Sequence, residues 1–357
     1  MSKTYGENLK LYIFGTSHGP EIGMTLEGIP AGLPVDIDAL RAFLKRRAPG
    51  QSQWSTPRKE ADIPLFQSGL ADGFTTGETI TAVIKNENVR SKDYDELKYI
   101  PRPGHADYAA WMKYGLEFDM SGGGPFSGRM TAPMCIAGGL CKQWLEAKGI
   151  RIGAHIRNVG VCGDLLFDRV DPELDAIGND FPILKAENRT RMQELIEDAK
   201  NNGDSVGGRI ECAVVGVSAG LGDAMFGGVE SRIAQIVYGI PGVKAVGFGL
   251  SSPATGCMFG SEVNDGFVIK DGAVKTLTNN CGGILGGITN GMPIIFDVTI
   301  KPTPSIAKPQ KSVNLKTMEE VTIAIKGRHD PCIVPRAVPV VEAAAAIAIY
   351  DLILGGI

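Results

Sequence analysis

The sequence predicts an α+β fold carried in one large domain. Apolar runs with strand-like alternation or β-branched content are interleaved with amphipathic helical runs over the whole chain of 357 residues. At that length the chain is either one large single-core fold or two domains. No repeat of fixed period, no low-complexity tract and no linker-like segment divides it, and its 43% hydrophobic content is ample for a core, so one domain over residues 1–357 is expected.

Residues 9–14, LKLYIF, read as a strand that ends in the glycine turn GTSHG, which presents His18, and EIGMTLEG reads as the next strand. A helix follows, opened by Asp36 or Asp38, with Ile37, Leu40 and Leu44 on one face and Arg41, Lys45, Arg46 and Arg47 elsewhere. Its basic end suits the helix dipole. Residues 48–60 read as a surface loop offering Arg58 and Lys59 to an anion, and IPLFQSGL and ETITAVIKN as two strands. Beyond the central stretch the strands are IRIGAHIRNVGVCG, GRIECAVVGV, VKAVGFG and PIIFDVTI, the last ending at Lys301 before a proline-bounded loop. ENRTRMQELIEDAKNNG and VESRIAQIVYGI read as helices, and the segment after GRHDPCIVPRAVP as a C-terminal one.

The densest stretch is Arg102 to Arg129, RPGHADYAAWMKYGLEFDMSGGGPFSGR. It holds His105, one of four histidines. Gly122, Gly123 and Gly124 carry no side chain to block a ligand and are expected to leave main-chain N–H groups facing it. Ser127 caps a helix that tolerates Pro133 in its first turn and ends at Gly149, and Arg129 brings a planar donor fork to the same end. The combination predicts an anion site beside a proton-transfer group.

Composition narrows the possibilities. With 36 basic and 40 acidic residues the net charge is −4, which argues against nucleic acid or an anionic membrane as the main partner. Seven scattered cysteines, none spaced CxxC, fit free thiols in a reducing cytosol better than disulfides or a zinc site. The polar start MSKTYGENLK carries no signal-peptide pattern, and the apolar tail is broken by Asp351 and preceded by Glu342, so a soluble, cytoplasmic protein is expected. Glycine, at 47 residues, is about twice its usual ~7% share. That excess fits tight turns and close backbone approach to a phosphate-bearing ligand.

His18, His105 and Asp330 lie in glycine- or proline-bounded loops, and two histidines with a carboxylate suffice for two acids and a base. Arginines 47, 102, 129 and 328 would hold an anionic substrate. G-x-G-x-x-G, G-x-x-x-x-G-K-[ST] and H-E-x-x-H are all missing, so Rossmann, P-loop and zincin readings lose their support and no metal is expected. The residues alone reach a soluble enzyme for phosphorylated or polycarboxylate ligands that uses His and Asp for proton transfer.

GTSHG (15–19), RRAPG (46–50), RPGHADY (102–108), SGGGPFSGR (121–129), GGILGGITNG (282–291), KPTPSI (301–306) and GRHDPCIVPRAVP (327–339) stand in the order and spacing of chorismate synthases. The chain resembles that family along essentially its whole length. The resemblance implies a lyase that converts 5-enolpyruvylshikimate 3-phosphate to chorismate and phosphate by 1,4-anti elimination, with reduced FMN and no net redox change. NADPH enters as a possible reductant of the flavin, and a monofunctional enzyme without its own reductase activity is the preferred reading. Carried over by position, His18 is the acid near the leaving phosphate, His105 protonates reduced flavin around N1, and Asp330 manages the N5 proton. Arg47, Arg102, Ser127, Arg129 and Arg328 match the substrate side. Pro125, Phe126, Ser127, Gly286, Lys301, Pro302, Thr303, Pro304, Ser305 and Arg328 match the flavin side. Many members have Arg-Ser where this chain has Pro125-Phe126, Asn at Pro241 and Arg at Gln53, so main-chain flavin contacts are expected at 125, 126 and 241. The resemblance also implies a β-α-β sandwich, with helices packed between antiparallel sheets, assembled as a homotetramer. Two alternatives stand beside it: another phosphate-eliminating or isomerising flavoprotein on this scaffold, and an RNA-binding module using residues 45–59.

Overall fold

Alternation in the first strands aligns their buried side chains on one face. Ile22, Met24 and Leu26 of strand Glu21–Glu27 stand opposite Ile84, Ala82 and Ile80 of strand Ile80–Lys85, and all six are buried. In this computed structural model, which describes residues 4–50, 60–86, 98–250, 253–270, 272–325 and 330–356, these two strands are the centre of a five-stranded antiparallel sheet. Its remaining strands are Thr4–Tyr5 and Lys10–Gly15 on one side and Leu65–Ser68 on the other. That last strand is shorter than its apolar run because the register shifts between Phe66 and Ser68 and Gly69 adopts a positive φ of 83°. A second antiparallel sheet runs in the order Val243–Phe248, Ile294–Ile300, Gly208–Val215, Arg151–Val159, Cys162–Gly163. Its inner face presents Phe296, Cys212 and Ala154 side by side.

The helices are α1 (Ile37–Arg47), α2 (Asp107–Tyr114), α3 (Thr131–Glu146), α4 (Arg189–Asn201), α5 (Val229–Val237), α6 (Gly260–Val263) and α7 (Val334–Leu354). Helix α3 packs on the first sheet, α7 on the second, and the two helices pack on each other, so the sandwich of helices between antiparallel sheets is the observed architecture. Gly138 of α3 makes the close approach possible, since a Cβ there would overlap Ala343 of α7. Asp36 caps α1, accepting from the Asp38 and Ala39 amides at 2.9 Å each.

Helix α7 is longer than the uninterrupted apolar run of the tail. It spans 21 residues and is long and apolar enough to cross a membrane, but most of it is buried inside the protein. Its two acids are paired there: Glu342 takes a fork from Arg46 at 2.7 and 2.8 Å, and Asp351 accepts the amides of Glu7, Asn8 and Leu9. Helix α2 and the hairpins 267–276 and 310–323 were not anticipated; α2 is short and has no side-chain cap.

On the outer face of the second sheet His155 is fully buried, with Nε2 3.0 Å from Glu211 and Nδ1 3.7 Å from Asp164. Burial alone would depress this imidazole, but the two carboxylates raise it overall above its usual value. A raised folded value means that its stabilising contribution is full below the unfolded imidazole value of about 6.5 and is lost as pH climbs through the folded one. Thermal unfolding from pH 6 to 9 should therefore show a loss of stability in the native chain that His155→Gln lacks. Parallel pH profiles for the two proteins would contradict the charged state.

Candidate active site

The loop before α2 folds around one carboxylate. Asp107, the first residue of α2, is 2% exposed, and its Oδ2 accepts from the Arg102 amide at 3.0 Å and Arg102 Nε at 2.7 Å. Its Oδ1 accepts from Arg102 Nη2 at 2.7 Å and lies 2.7 Å from His105 Nδ1. Burial would raise this carboxyl, but the Arg102 and His105 donors hold it far below the carboxylate range. His105 itself is pulled down, first by burial and then by Arg102 and Lys301, against the opposing effect of Asp107.

The glycine run then turns sharply, with Gly122, Gly123 and Gly124 all at positive φ (59°, 88° and 50°). A Cβ at Gly122 would overlap the His18 ring, and one at Gly123 would sit 3.3 Å from His105 Nε2. The glycines therefore bring the two histidines against one loop. They are not three free donors, because Gly123 N–H already donates to Met120 O at 2.9 Å. Ser17 Oγ stands 3.2 Å from His18 Nδ1, with the carbonyls of Ser121 and Gly122 at 3.1 and 3.0 Å sharing its one hydrogen, fixing His18 to this loop.

Ser127 caps a 3₁₀ turn, Gly128–Met130, by accepting the Arg129 amide at 3.3 Å, and α3 starts just beyond it at Thr131. Arg129 points inward and is 5% exposed. It forms ion pairs with Glu60 and Asp62 and donates from Nε to Asn86 Oδ1 at 3.1 Å. Arg47, 3% exposed, donates to Asp62 Oδ2 at 2.6 Å, Thr131 Oγ1 at 3.1 Å and Gly128 O at 2.9 Å. Burial would raise the Asp62 carboxyl, but the two guanidiniums hold it below its ordinary value. These two arginines thus belong to a buried charge network at the edge of the site, a feature that their separate sequence positions did not disclose.

From the C-terminal side, Asp330 pairs with Arg336 of α7, and Arg336 Nε donates to Arg47 O at 3.1 Å, tying both segments together. Lys301 Nζ donates to Gly104 O, which ties the strand end to the His105 loop. Together these groups line a cleft of about 550 Å³. It gathers Arg47, Arg102, His105, Pro125, Phe126, Ser127, Arg129, the whole run Lys301–Ser305 and Asp330, with Tyr238–Val243 as a further wall.

His18 stands behind Gly122 at the edge of this lining. Gly286 lies in the turn between strands Ile284–Leu285 and Ile288–Thr289, outside the lining. Arg328, Gln53, Arg58 and Lys59 fall outside the described residues. Asp62, Asp107 and Arg336 were missed; the last two stand inside the quoted motifs, and a carboxylate two residues from His105 was the available signal. Among the described residues no group of three His, Cys, Asp or Glu could hold a metal. The basic run at 45–47 does not present an open charged strip, since Arg46 and Arg47 are both paired with acids.

Comparison with known proteins gives a consistent result. The family model described as chorismate synthase matches residues 9–354. A relative from Lancefieldella parvula named chorismate synthase is 45% identical, with 98% of this chain and 96% of the relative covered. One of the same name from Thermococcus gammatolerans is 44% identical, covering 98% and 97%. A solved structure titled as the crystal structure of chorismate synthase superposes with a TM-score of 0.78 at 28% identity, over 98% of this chain and 93% of the other.

Proposed function

The chain belongs to the chorismate synthase family, and from that premise we propose how its cleft carries the reaction. The activity is that of a carbon–oxygen lyase, converting 5-enolpyruvylshikimate 3-phosphate to chorismate and phosphate. The observation that carries the site reading is the convergence of His105, Asp330, the Lys301–Ser305 run and four arginines on one cleft.

Reduced FMN is the proposed cofactor, and the residues present fit it. Thr303 Oγ1, on a residue lining the cleft, is buried with no hydrogen-bond partner among the described residues. Pro125, Phe126, Ser127 and Lys301–Ser305 would hold it, joined by Arg328 and by Gly286 if a second copy brings that turn to the cleft. When bound, the reduced flavin supplies electron density at the breaking carbon–oxygen bond and a place for the substrate's departing C6 proton. His18 gives a proton to the leaving phosphate, His105 holds one for the cofactor's N1 edge, and Asp330 moves the proton at N5. Arg102, with Arg47, Ser127, Arg129 and Arg328, orients the anionic substrate.

The working form is one catalytic domain over residues 1–357, assembled as a cytoplasmic homotetramer, with NADPH only as an outside source of reducing equivalents. Support for assembly comes from exposed apolar side chains at Met225, Phe226, Phe259, Phe267 and Ile269.

Chorismate formation under anaerobic reduction, compared with oxidised FMN in air, tests this reading. Activity should appear only in the reduced arm, and FMN should bind much more tightly when substrate is present. Equal turnover with oxidised flavin would remove the cofactor assignment.

A further inference from the structure

We infer that Asp107 is a positioning residue for the reaction: its carboxylate holds His105 as the tautomer with hydrogen on Nδ1, so that Nε2 is the proton-handling atom facing the cleft. This rests on the reading of His105 as a proton-transfer group and adds which nitrogen works and what sets it.

His105 Nδ1 meets two partners, Asp107 Oδ1 at 2.7 Å and Arg102 Nη2 at 3.1 Å. A carboxylate oxygen only accepts and a guanidinium nitrogen only donates. The shorter contact needs a hydrogen between nitrogen and oxygen, and Asp107 is ionised, so that hydrogen belongs to Nδ1. Arg102 Nη2 directs one of its two hydrogens to the same Oδ1 at 2.7 Å. Across the ring, no hydrogen bond from a described residue reaches Nε2, and Gly123 stands beside it, where a Cβ would lie 3.3 Å away. The charged groups around the ring are Arg102, Lys301 and Asp107, and with burial they leave His105 lowered. The ring is therefore neutral near pH 7, with the Nε2 lone pair bare. A proton taken up at Nε2 makes an imidazolium whose charge faces Asp107, and the same Nε2–H is then passed to the ligand. Nδ1–H stays in place throughout.

Asparagine at 107 inverts this arrangement. Its single oxygen is claimed by the two Arg102 donors at the Oδ2 position, so its NH₂ faces His105 Nδ1 and donates to it. The ring then carries hydrogen on Nε2. It can still donate a hydrogen bond from there, but it can neither take up nor release a proton within the neutral pH range.

The test is ring ¹⁵N spectroscopy of histidine-labelled protein, with His105 assigned by its loss in His105→Ala among only four histidines. The apo native chain should show a protonated Nδ1 and a bare Nε2, and Asp107→Asn should exchange them. Turnover of Asp107→Asn at saturating FMN and substrate should fall by roughly 10²-fold with KM within a few-fold, the lower end of the range for losing a positioned proton-transfer group. Asp107→Glu, which restores a carboxylate, should recover most of that loss. A native His105 protonated on Nε2 overturns the proposal, even if the asparagine variant does not fold. So does normal turnover of an Asp107→Asn enzyme whose tautomer has switched. Normal turnover of His105→Ala instead removes the underlying role of His105, so the two failures are distinguishable.

Discussion

Alanine at His105, or asparagine at Asp330, slows the chemical step by roughly 10²- to 10⁴-fold, the range expected when a positioned proton-transfer group is lost. His18→Ala belongs with them. The surroundings make these losses chemical and not structural. Removing the His105 ring leaves Asp107 held by three bonds from Arg102. Asparagine at 330 keeps an oxygen for Arg336, so the tie between α7 and the Arg47 carbonyl survives. His18 rests on the face of Gly122, where truncation opens space against a glycine loop. Single-turnover decay of the substrate-bound reduced-flavin signal at saturating ligands is the measurement, because it separates chemistry from affinity. Flavin and substrate affinities should change far less, since the arginines and the Lys301–Ser305 run remain. Normal decay with poor affinity would move the residue concerned to the binding set. His155 provides a contrasting control: it lies on the outer sheet face, paired with Glu211, and its replacement acts on stability.

What was legible in the sequence follows how local each signal is. Alternation in 21–27 and 80–85, the Asp36 cap and the periodicity of 189–201 depend on neighbours in the chain, and each gave the right element. The resemblance carried the sandwich, because the order of the two sheets is set by contacts across hundreds of residues. His105 and Asp330 stood out as titratable groups in glycine- or proline-bounded loops, and both line the cleft. Arg47 and Arg129 were read as forks open to substrate, yet their guanidiniums meet at Asp62, a residue at positive φ in a segment with no motif of its own. Only the fold brings 47, 60, 62 and 129 together. The purpose of the glycine run was misjudged for the same reason, since its nearest neighbour, His18, lies over a hundred positions away in sequence.

That buried network sets the expectation for Arg129→Ala. On sequence grounds the variant would weaken substrate binding and leave the fold unchanged. In the structure, the side chains of Asp62 and Glu60 are 0% and 3% exposed, and Arg129 faces both. Alanine removes this guanidinium from both buried carboxylates, with Asp62 still paired to Arg47. Breaking a buried pair from one side costs about 3–5 kcal/mol, because the remaining charge is desolvated without a partner. Lysine is a poor substitute, since one ammonium cannot copy a fork that spans Glu60, Asp62 and Asn86. The pH dependence has a definite sign. Asp62 has a lowered folded value, so its stabilising contribution is present above the unfolded carboxylate value of about 3.9 and is lost as pH falls through the folded one. With one of its two cations gone that folded value rises, and the acid-side loss of stability begins at higher pH. Urea unfolding at pH 7 and pH 5 reads both effects. A combined Glu60→Gln, Asp62→Asn, Arg129→Met variant should regain much of the stability, since neutral groups of similar shape cost little in a packed interior, while Arg47 keeps an amide oxygen to bond. That variant should still turn over poorly if Arg129 orients substrate. Native stability in Arg129→Ala, with only substrate affinity reduced, would mean that the guanidinium is open to ligand and that the acidic pair does not depend on it.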